Sequence, residues 1–341
     1  MIVRKNVRTL KGNQKVKGIL LKSNIICVTR DSNMDGISAP ALLMHNYGMK
    51  ADNIMFTNYS NFKGLFGLIK KIDIKGSVFV FSDLGMSKVN ITYSLKILEL
   101  LKSRKVPVVW LDHHPWEEKM VRRFRNYFDF AILGESRRYC AAEMVYLVLC
   151  KRDKTGDRIA SFAHYADFVI KSRYERLLRK LSYSIVYFEY DKNRQGLLKK
   201  LTMVLSKLDL KNKMIDRAYH SYIEEERRNK KYLLGNSYSI DAGNYRIGIA
   251  FGKRIQTNSA CAAIHNKFRS DISIYVNIET GKCGVRSLDH VDSSKISRAL
   301  GGGGHPQASA FNIKPSRFKG GNKNEMKRFV ERINRTSGKM Y

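Results

Sequence analysis

Three short stretches place acidic and imidazole groups where an apolar run gives way to a turn. In TRDSNMDGIS these are Asp31 and Asp35, in SDLG it is Asp83, and in VVWLDHHPW they are Asp112, His113 and His114. Carboxylate oxygens with one or two imidazoles and no thiolate suit Mn²⁺ or Mg²⁺ rather than structural zinc. Carboxylates crowded together repel one another unless cations stand between them, so a centre of two ions is expected. Taken singly, Asp31, Asn33 and Asp35 also read as turn and N-cap residues before a helix at Ile37, and Asp83 as a turn residue. A satisfied core histidine is likewise the common fate of any one imidazole. Three separate strand ends that all carry metal-competent groups weigh against those readings for the set.

The elements that must position these groups are legible from periodicity. From Asn24 to Phe168, short β-branched runs alternate with amphipathic helical patterns, as parallel strands joined by crossover helices do. NIICVTR from Asn24, NIMFTN from Asn53, SVFVFSD from Ser77 and VPVVWLD from Val106 read as strands, the last two apolar on both faces. ISAPALLMHNYG, FKGLFGLIKKI and ITYSLKILELLKSR read as the helices between them. The fold class is therefore α/β, a doubly wound parallel sheet whose chemistry lies at the carboxyl ends of its strands, where the groups above would share one crevice. After Asp191, two helices rich in Lys, Arg and Glu form a connector. Beyond Gly235 and Asn236, YRIGIAF, ISIYVNIE and KCGVRSL read as strands of a second, smaller α/β unit that also carries the glycine run Gly301–Gly304. The expected boundaries are 1–190 for the first domain, 191–235 for the connector and 236–341 for the second domain with a basic tail.

At 341 residues the chain is long enough for two domains. Its hydrophobic content of 43 % supports a real core. With 63 Lys+Arg against 30 Asp+Glu, the formal net charge is +33, far more than solubility needs, and such a surface collects polyanions. Single-stranded nucleic acid or oligonucleotides are the expected partners; a homodimer stays open. The five cysteines are scattered with no C-x-x-C pair, so they are expected to be reduced and in the core. The stretch MIVRKNVRTLKGNQKVKG has no apolar segment of signal-peptide length and no apolar run reaches membrane-spanning length, so a cytoplasmic protein with no membrane contact is expected.

These residues resemble the DHH phosphoesterases, whose name-giving triplet stands here as Asp112, His113 and His114. TRDSNMDGIS resembles the first family motif in the form used by RecJ-type nucleases, SDLG the second, and SFAHYADFV with Asp167 the fourth; RRYCAAEMVY resembles the helix start that follows the triplet. VRSLDHVDSSKISRALGGGGHPQASAF closely resembles the glycine-rich signature of the DHH-associated C-terminal domain. The resemblance implies that Asp83 bridges two Mn²⁺ ions, that His113 and Asp167 complete the second ion's ligands, and that Asp35 with Asp31 holds the first; Mg²⁺ suits the same ligands. It makes Asp112 and His114 the catalytic pair: Asp112 orients a histidine, with direct ligation as the alternative, and His114 faces the phosphate or the leaving oxygen. Arg286, Gly302, Gly303, Gly304 and His305 would hold the substrate, the loop amides forming an anion nest. One position departs from the pattern. The residue two before Asp35 is an aspartate in the family and is Asn33 here, which offers an oxygen without charge and puts affinity at the first ion in doubt.

The function expected from the resemblance is a divalent-metal-dependent phosphodiesterase or exonuclease, of RecJ or oligoribonuclease type, acting from the end of single-stranded RNA or DNA. The excess of positive charge favours a multi-phosphate substrate. The alternatives are a cyclic-dinucleotide or mononucleotide phosphodiesterase and a catalytically weakened nucleic-acid-binding replication scaffold of RecJ-like descent, for which Asn33 is the hint.

Overall fold

The computed structural model describes residues 2–3, 14–87, 89–134, 138–168 and 170–338. Residues 4–13 of the N-terminal stretch discussed above, and Lys339 of the basic tail, lie outside them. The chain divides into two compact units, Met1–Tyr219 and His220–Tyr341.

In the first unit the strands are β1 (Ile2–Val3), β2 (Asn24–Arg30), β3 (Ile54–Thr57), β4 (Ser77–Ser82), β5 (Val108–Asp112) and β6 (Phe130–Leu133). They pair in the order β1-β6-β5-β4-β2-β3, and every pairing is parallel. The helices are α1 (Gln14–Lys22), α2 (Met34–Tyr47), α3 (Phe62–Ile69), α4 (Ile91–Ser103), α5 (Glu118–Phe124), α6 (Ala141–Leu149), α7 (Lys154–Asp167), α8 (Glu175–Phe188) and α9 (Arg194–Ser206), followed by α10 (Lys213–Gly235), which runs across the division. Alternation along the strands assigns the two faces. Ile25, Cys27, Val78, Val80, Val109 and Leu111 pack with α2, α6, α7, α8 and α9, while Ile26, Val28, Phe79, Phe81, Val108 and Trp110 pack with α3, α4 and α5. The four expected strands are β2, β3, β4 and β5. Two more were not anticipated: β6 is a four-residue apolar run, and β1 has two residues, too short for any periodicity. Because β2 leads to β3 on one side while β4 pairs on its other side, the sheet has its topological switch point between β2 and β4.

The β2–α2 junction shows how local chemistry sets the frame. Asn33 caps α2, its side-chain oxygen accepting the Gly36 N–H at 2.9 Å. Pro40 inside α2 has no N–H to give the Gly36 carbonyl, and the buried Thr29 hydroxyl donates to that carbonyl instead, at 2.9 Å. Strand end and helix start are thereby joined by side chain as well as by chain.

In the second unit β7 (Ser237–Ala242), β8 (Tyr245–Gly252), β9 (Ile272–Asn277), β10 (Lys282–Ser287), β11 (Gly303–His305) and β12 (Ala308–Asn312) form a mixed sheet in the order β11-β12-β10-β9-β8-β7. Only the β8–β9 pair among them is parallel. Helices α11 (Thr257–Phe268), α12 (Ser294–Ala299) and α13 (Lys323–Ser337) accompany it. Phe251, Phe311, Phe318 and Phe329 cluster in its core. All five cysteines are buried and unbridged. No helix among the described residues is long and apolar enough to cross a membrane.

Gly36 tests the junction. A Cβ there would stand 2.1 Å from the Arg30 carbonyl oxygen. Gly36→Ala is therefore expected to cost about 1–3 kcal/mol of stability, the usual penalty for overpacking a well-filled site. Denaturant unfolding with an unchanged midpoint would show that the helix start is free to shift.

Candidate metal centre

The carboxyl edge of the sheet gathers Asp35, Asp83, His113 with His114, and Asp167 from four segments. His113, just past β5, is the hub: its Nε2 lies 3.6 Å from Asp83 Oδ1, 3.7 Å from Asp167 Oδ2 and 3.9 Å from Asp35 Oδ2. These gaps exceed hydrogen-bond range. They are close to the roughly 3 to 3.6 Å that separates donors each about 2.1 Å from a common cation. Asp83 Oδ1 and His113 Nε2 are both buried without a hydrogen-bond partner. Donors buried and left unpaired are costly unless an ion satisfies them, so the residues present fit a divalent metal. Donor atoms of Asp35, His113 and Asp167 lie within 4.8 Å of one another, as do those of Asp83, His113 and His114.

Each member is placed by its element. Asp83 follows β4 with φ of 56°, a left-handed conformation that non-glycine residues adopt at a cost of order 1–3 kcal/mol, and it is fully buried. Trp110, stacked on Phe81 at 4.4 Å, donates its indole N–H to the Leu84 carbonyl at 3.0 Å and so fixes the turn behind Asp83. Asp35, in the first turn of α2, accepts the backbone N–H groups of Ala141 and Ala142 at 2.8 and 2.6 Å, at the N-terminus of α6. Asp167 is the last residue of α7. Asp112 is buried; its Oδ1 takes the Nδ1–H of His114 at 2.8 Å and its Oδ2 takes the indole N–H of Trp116 at 2.7 Å. A carboxylate cannot donate, so this contact leaves the neutral His114 with Nε2 as its free acceptor.

Electrostatics follow from this crowding. Burial, and then the charge of Asp83, push the Asp35 carboxyl up to about 7, with His113 opposing. Burial and Asp83 also raise Asp167. Burial would raise Asp83 as well, but His113, Arg30 and His114 face it and bring it down to about 2. Burial would lower His113, yet Asp83, Asp35 and Asp167 carry it up to about 10. The centre has more buried negative charge than its own groups neutralise comfortably, and it holds protons in compensation.

Asp31 and Asn33 stand differently. Asp31 Oδ2 pairs with Arg194 of α9 at 3.2 Å and accepts the Asn58 amide at 3.3 Å; Asp31 belongs to neither donor group. Asn33, besides capping α2, donates its amide to Asp83 Oδ2 at 2.8 Å. Arg30 was not foreseen as part of the site. Its guanidinium lies over the Tyr59 ring at 5.4 Å, with Nη1 3.5 Å from His114 Nε2. Burial works against the Arg30 charge, but Asp83, Asp167 and Asp31 hold its pKa above the ordinary value. The available signal was its position, the last residue of β2 next to Asp31.

In the second unit, Arg286 on β10 donates its Nε–H to Asn258 Oδ1 at 2.8 Å and Nη1 to the Val285 carbonyl at 2.8 Å. The glycine run opens a hairpin: Gly303 and Gly304 are in β11 and His305 is its exposed last residue. Gly302 and Gly304 are required by packing, since a Cβ would meet the Ala310 carbonyl at 2.1 Å and Ser309 Cα at 2.5 Å respectively. Gly303 is open, with nothing near the place of its Cβ.

A cation entering the centre must displace protons from His113 and Asp35. Deprotonated forms bind, so apparent Mn²⁺ affinity is expected to tighten with rising pH, by up to about a hundredfold per unit below pH 7, where both protons are released, and about tenfold per unit from there toward pH 10, where only the His113 proton is. Calorimetric titration across that range would show it; a pH-independent affinity would mean that Mn²⁺ binds elsewhere.

No curated protein matches the sequence. The family model of the DHHA1 domain matches residues 250–337. Among solved structures, the DHH domain of a member of the s1p family of ribosomal proteins is similar at 16 % identity with a TM-score of 0.62, covering 94 % of this chain and 89 % of that one. An exopolyphosphatase-related protein from Bacteroides fragilis is similar at 13 % identity and a TM-score of 0.55, over 95 % of this chain and 96 % of that one. A pGpG-specific phosphodiesterase from Vibrio cholerae is similar at 14 % identity and a TM-score of 0.53, over 92 % and 99 %. At these identities the likeness is one of fold. The chain thus carries a DHHA1 match over residues 250–337 and shares its fold with DHH-family phosphoesterases.

Proposed function

We propose that the protein is a divalent-metal-dependent phosphodiesterase that shortens single-stranded RNA, DNA or oligonucleotides from an end, with Mn²⁺ as the working ion. The observation that carries this is a pair of buried donors without hydrogen-bond partners, Asp83 Oδ1 and His113 Nε2, at a strand-end crevice where Asp35 and Asp167 face the same imidazole nitrogen. Asp35, Asp83, His113 and Asp167 would hold the cation, which when bound supplies Lewis-acid activation of water and neutralises phosphoryl charge. In the hydrolysis, a water oxygen bonds to phosphorus and releases its proton to solvent as the bond from phosphorus to the leaving nucleotide oxygen breaks. Burial works against charge on His114, but Asp112 and Asp83 favour it, and in the protonated ring Nε2 would hold the proton and pass it to that oxygen. Asp112, itself fixed by Trp116, keeps its ring oriented for this. Arg286, Gly302, Gly303, Gly304 and His305 would grip the terminal nucleotide. The net charge of +33 supports a substrate of many phosphates over a mononucleotide.

One feature favours a second reading, a weakened nuclease that serves as a nucleic-acid-binding scaffold: Asn33 stands where the resembled motif has an aspartate, and its amide is bound to Asp83.

Hydrolysis of single-stranded RNA, single-stranded DNA and pGpG in Mn²⁺ separates these. Wild-type protein should shorten at least one strand substrate and Asp83→Ala should lose at least about 10²-fold, as loss of a metal-holding or charge-stabilising group does. Cleavage of pGpG alone would replace the strand reading. Strand binding with no hydrolysis would leave the scaffold. Arg286→Ala should raise KM about tenfold on short substrates with kcat little changed, the signature of lost substrate binding; an unaltered KM would remove Arg286 from the substrate site.

A further inference from the structure

We infer that this centre takes one divalent cation, in the group formed by Asp35, Asp83, His113 and Asp167, and that Arg30 and Asn33 occupy the place of a second. The inference rests on the metal-dependent reading above and departs from the two-ion expectation of the sequence.

The donor atoms divide into two sets. On one side Asp83 Oδ1 and His113 Nε2 are buried without hydrogen-bond partners, and Asp167 Oδ2 and Asp35 Oδ2, the latter also accepting the Ala141 N–H, face the same imidazole nitrogen at 3.7 and 3.9 Å. The opposite side is committed within the protein. Asp83 Oδ2 accepts the Asn33 amide at 2.8 Å, and that amide cannot turn over, because Asn33 Oδ1 is already the acceptor for the Gly36 N–H. Asp31 Oδ2 lies 3.2 Å from Arg194 Nη2 and 3.3 Å from the Asn58 amide, and the same Arg194 Nη2 binds the Asp31 carbonyl at 2.8 Å. His114 gives Nδ1–H to Asp112 and turns Nε2 toward Arg30 at 3.5 Å. The second donor group, Asp83, His113 and His114, has its His114 Nδ1 3.7 Å from Asp83 Oδ1 but spends that nitrogen on Asp112, and the other candidates, Asp83 Oδ2, Asp31 and His114 Nε2, each face an Arg or Asn donor.

Charge leads to the same assignment. A fixed guanidinium beside Asp83 and Asp167 supplies one positive charge that cannot be titrated away, in a place where a second dication would meet repulsion. The motif change at Asn33 and the presence of Arg30 then belong together: an aspartate at 33 would add a carboxylate against Asp83 and call for a cation, while an asparagine turns that contact into a hydrogen bond.

The number of ions decides it. Equilibrium dialysis of the full chain against Mn²⁺ should give one ion per chain, with the six-line spin resonance of an isolated Mn²⁺. The double variant Asn33→Asp, Arg30→Met, checked for an unchanged circular dichroism spectrum, should bind two, with the broadened spectrum of a coupled pair. Two coupled ions in the wild type would overturn the inference and leave the metal-dependent reading intact. A double variant that still binds one would mean that Arg30 and Asn33 do not exclude the second ion, and would overturn their role. No bound ion in the wild type would overturn both the inference and the reading beneath it.

Discussion

Like charges packed out of water set the terms for the first unit. Three carboxylates surround one imidazole nitrogen at 3.6 to 3.9 Å, and two of them, Asp35 and Asp83, are essentially without solvent contact. Such an arrangement persists only if something positive is held among them. The protein supplies part of this from its own dipoles and cations: the N-terminus of α6 to Asp35, the guanidinium of Arg30 toward Asp83, and the amide of Asn33 on Asp83. The remainder is a well-defined deficit at the His113 hub, and a divalent cation fits it.

The sheet makes that crowding affordable in geometry. Parallel pairing brings the ends of β2, β4 and β5 to one edge at the switch point, so residues as distant in sequence as 35, 83 and 113 meet with little loop. Rigid apolar packing behind them holds the aim. Trp110, stacked on Phe81, restrains the turn after Asp83, and Trp116 restrains Asp112 and through it His114. These aromatic residues are, in the fold, the supports of Asp83, Asp112 and His114.

Much of this was legible beforehand, for a physical reason. Side-chain alternation and helical spacing are local properties, so β2 to β5 and the helices between them could be read directly, and the strand-end groups with them. The likeness of the chain to DHH-family phosphoesterases, expected from the motifs, is matched by the DHHA1 model and by fold neighbours. What escaped was non-local. Nothing near Asp31 in the chain says that Arg194, 163 residues away, will bind it, or that Arg30 will face His114. Asn33 was seen as a charge lost, whereas its second hydrogen-bonding end, aimed at Asp83, depends on where β4 stops. The glycine run was read for its amides, but two of its members are glycine because β12 lies against them. The short strand β6 gave too few residues for alternation to register.

The tie between Arg194 and Asp31 bears on the order in which the molecule comes into being. A chain leaving the ribosome has β2, β4 and β5 available early, and could pair them, but the loop after β2 is clamped from α9 and the His113 hub is closed by the end of α7. The crevice is thus a late structure, finished only when about three-fifths of the chain is out and its most distant partners have met. The geometry that would receive a cation is complete only with the first unit, so the order in which the polypeptide folds sets when an ion could be taken up.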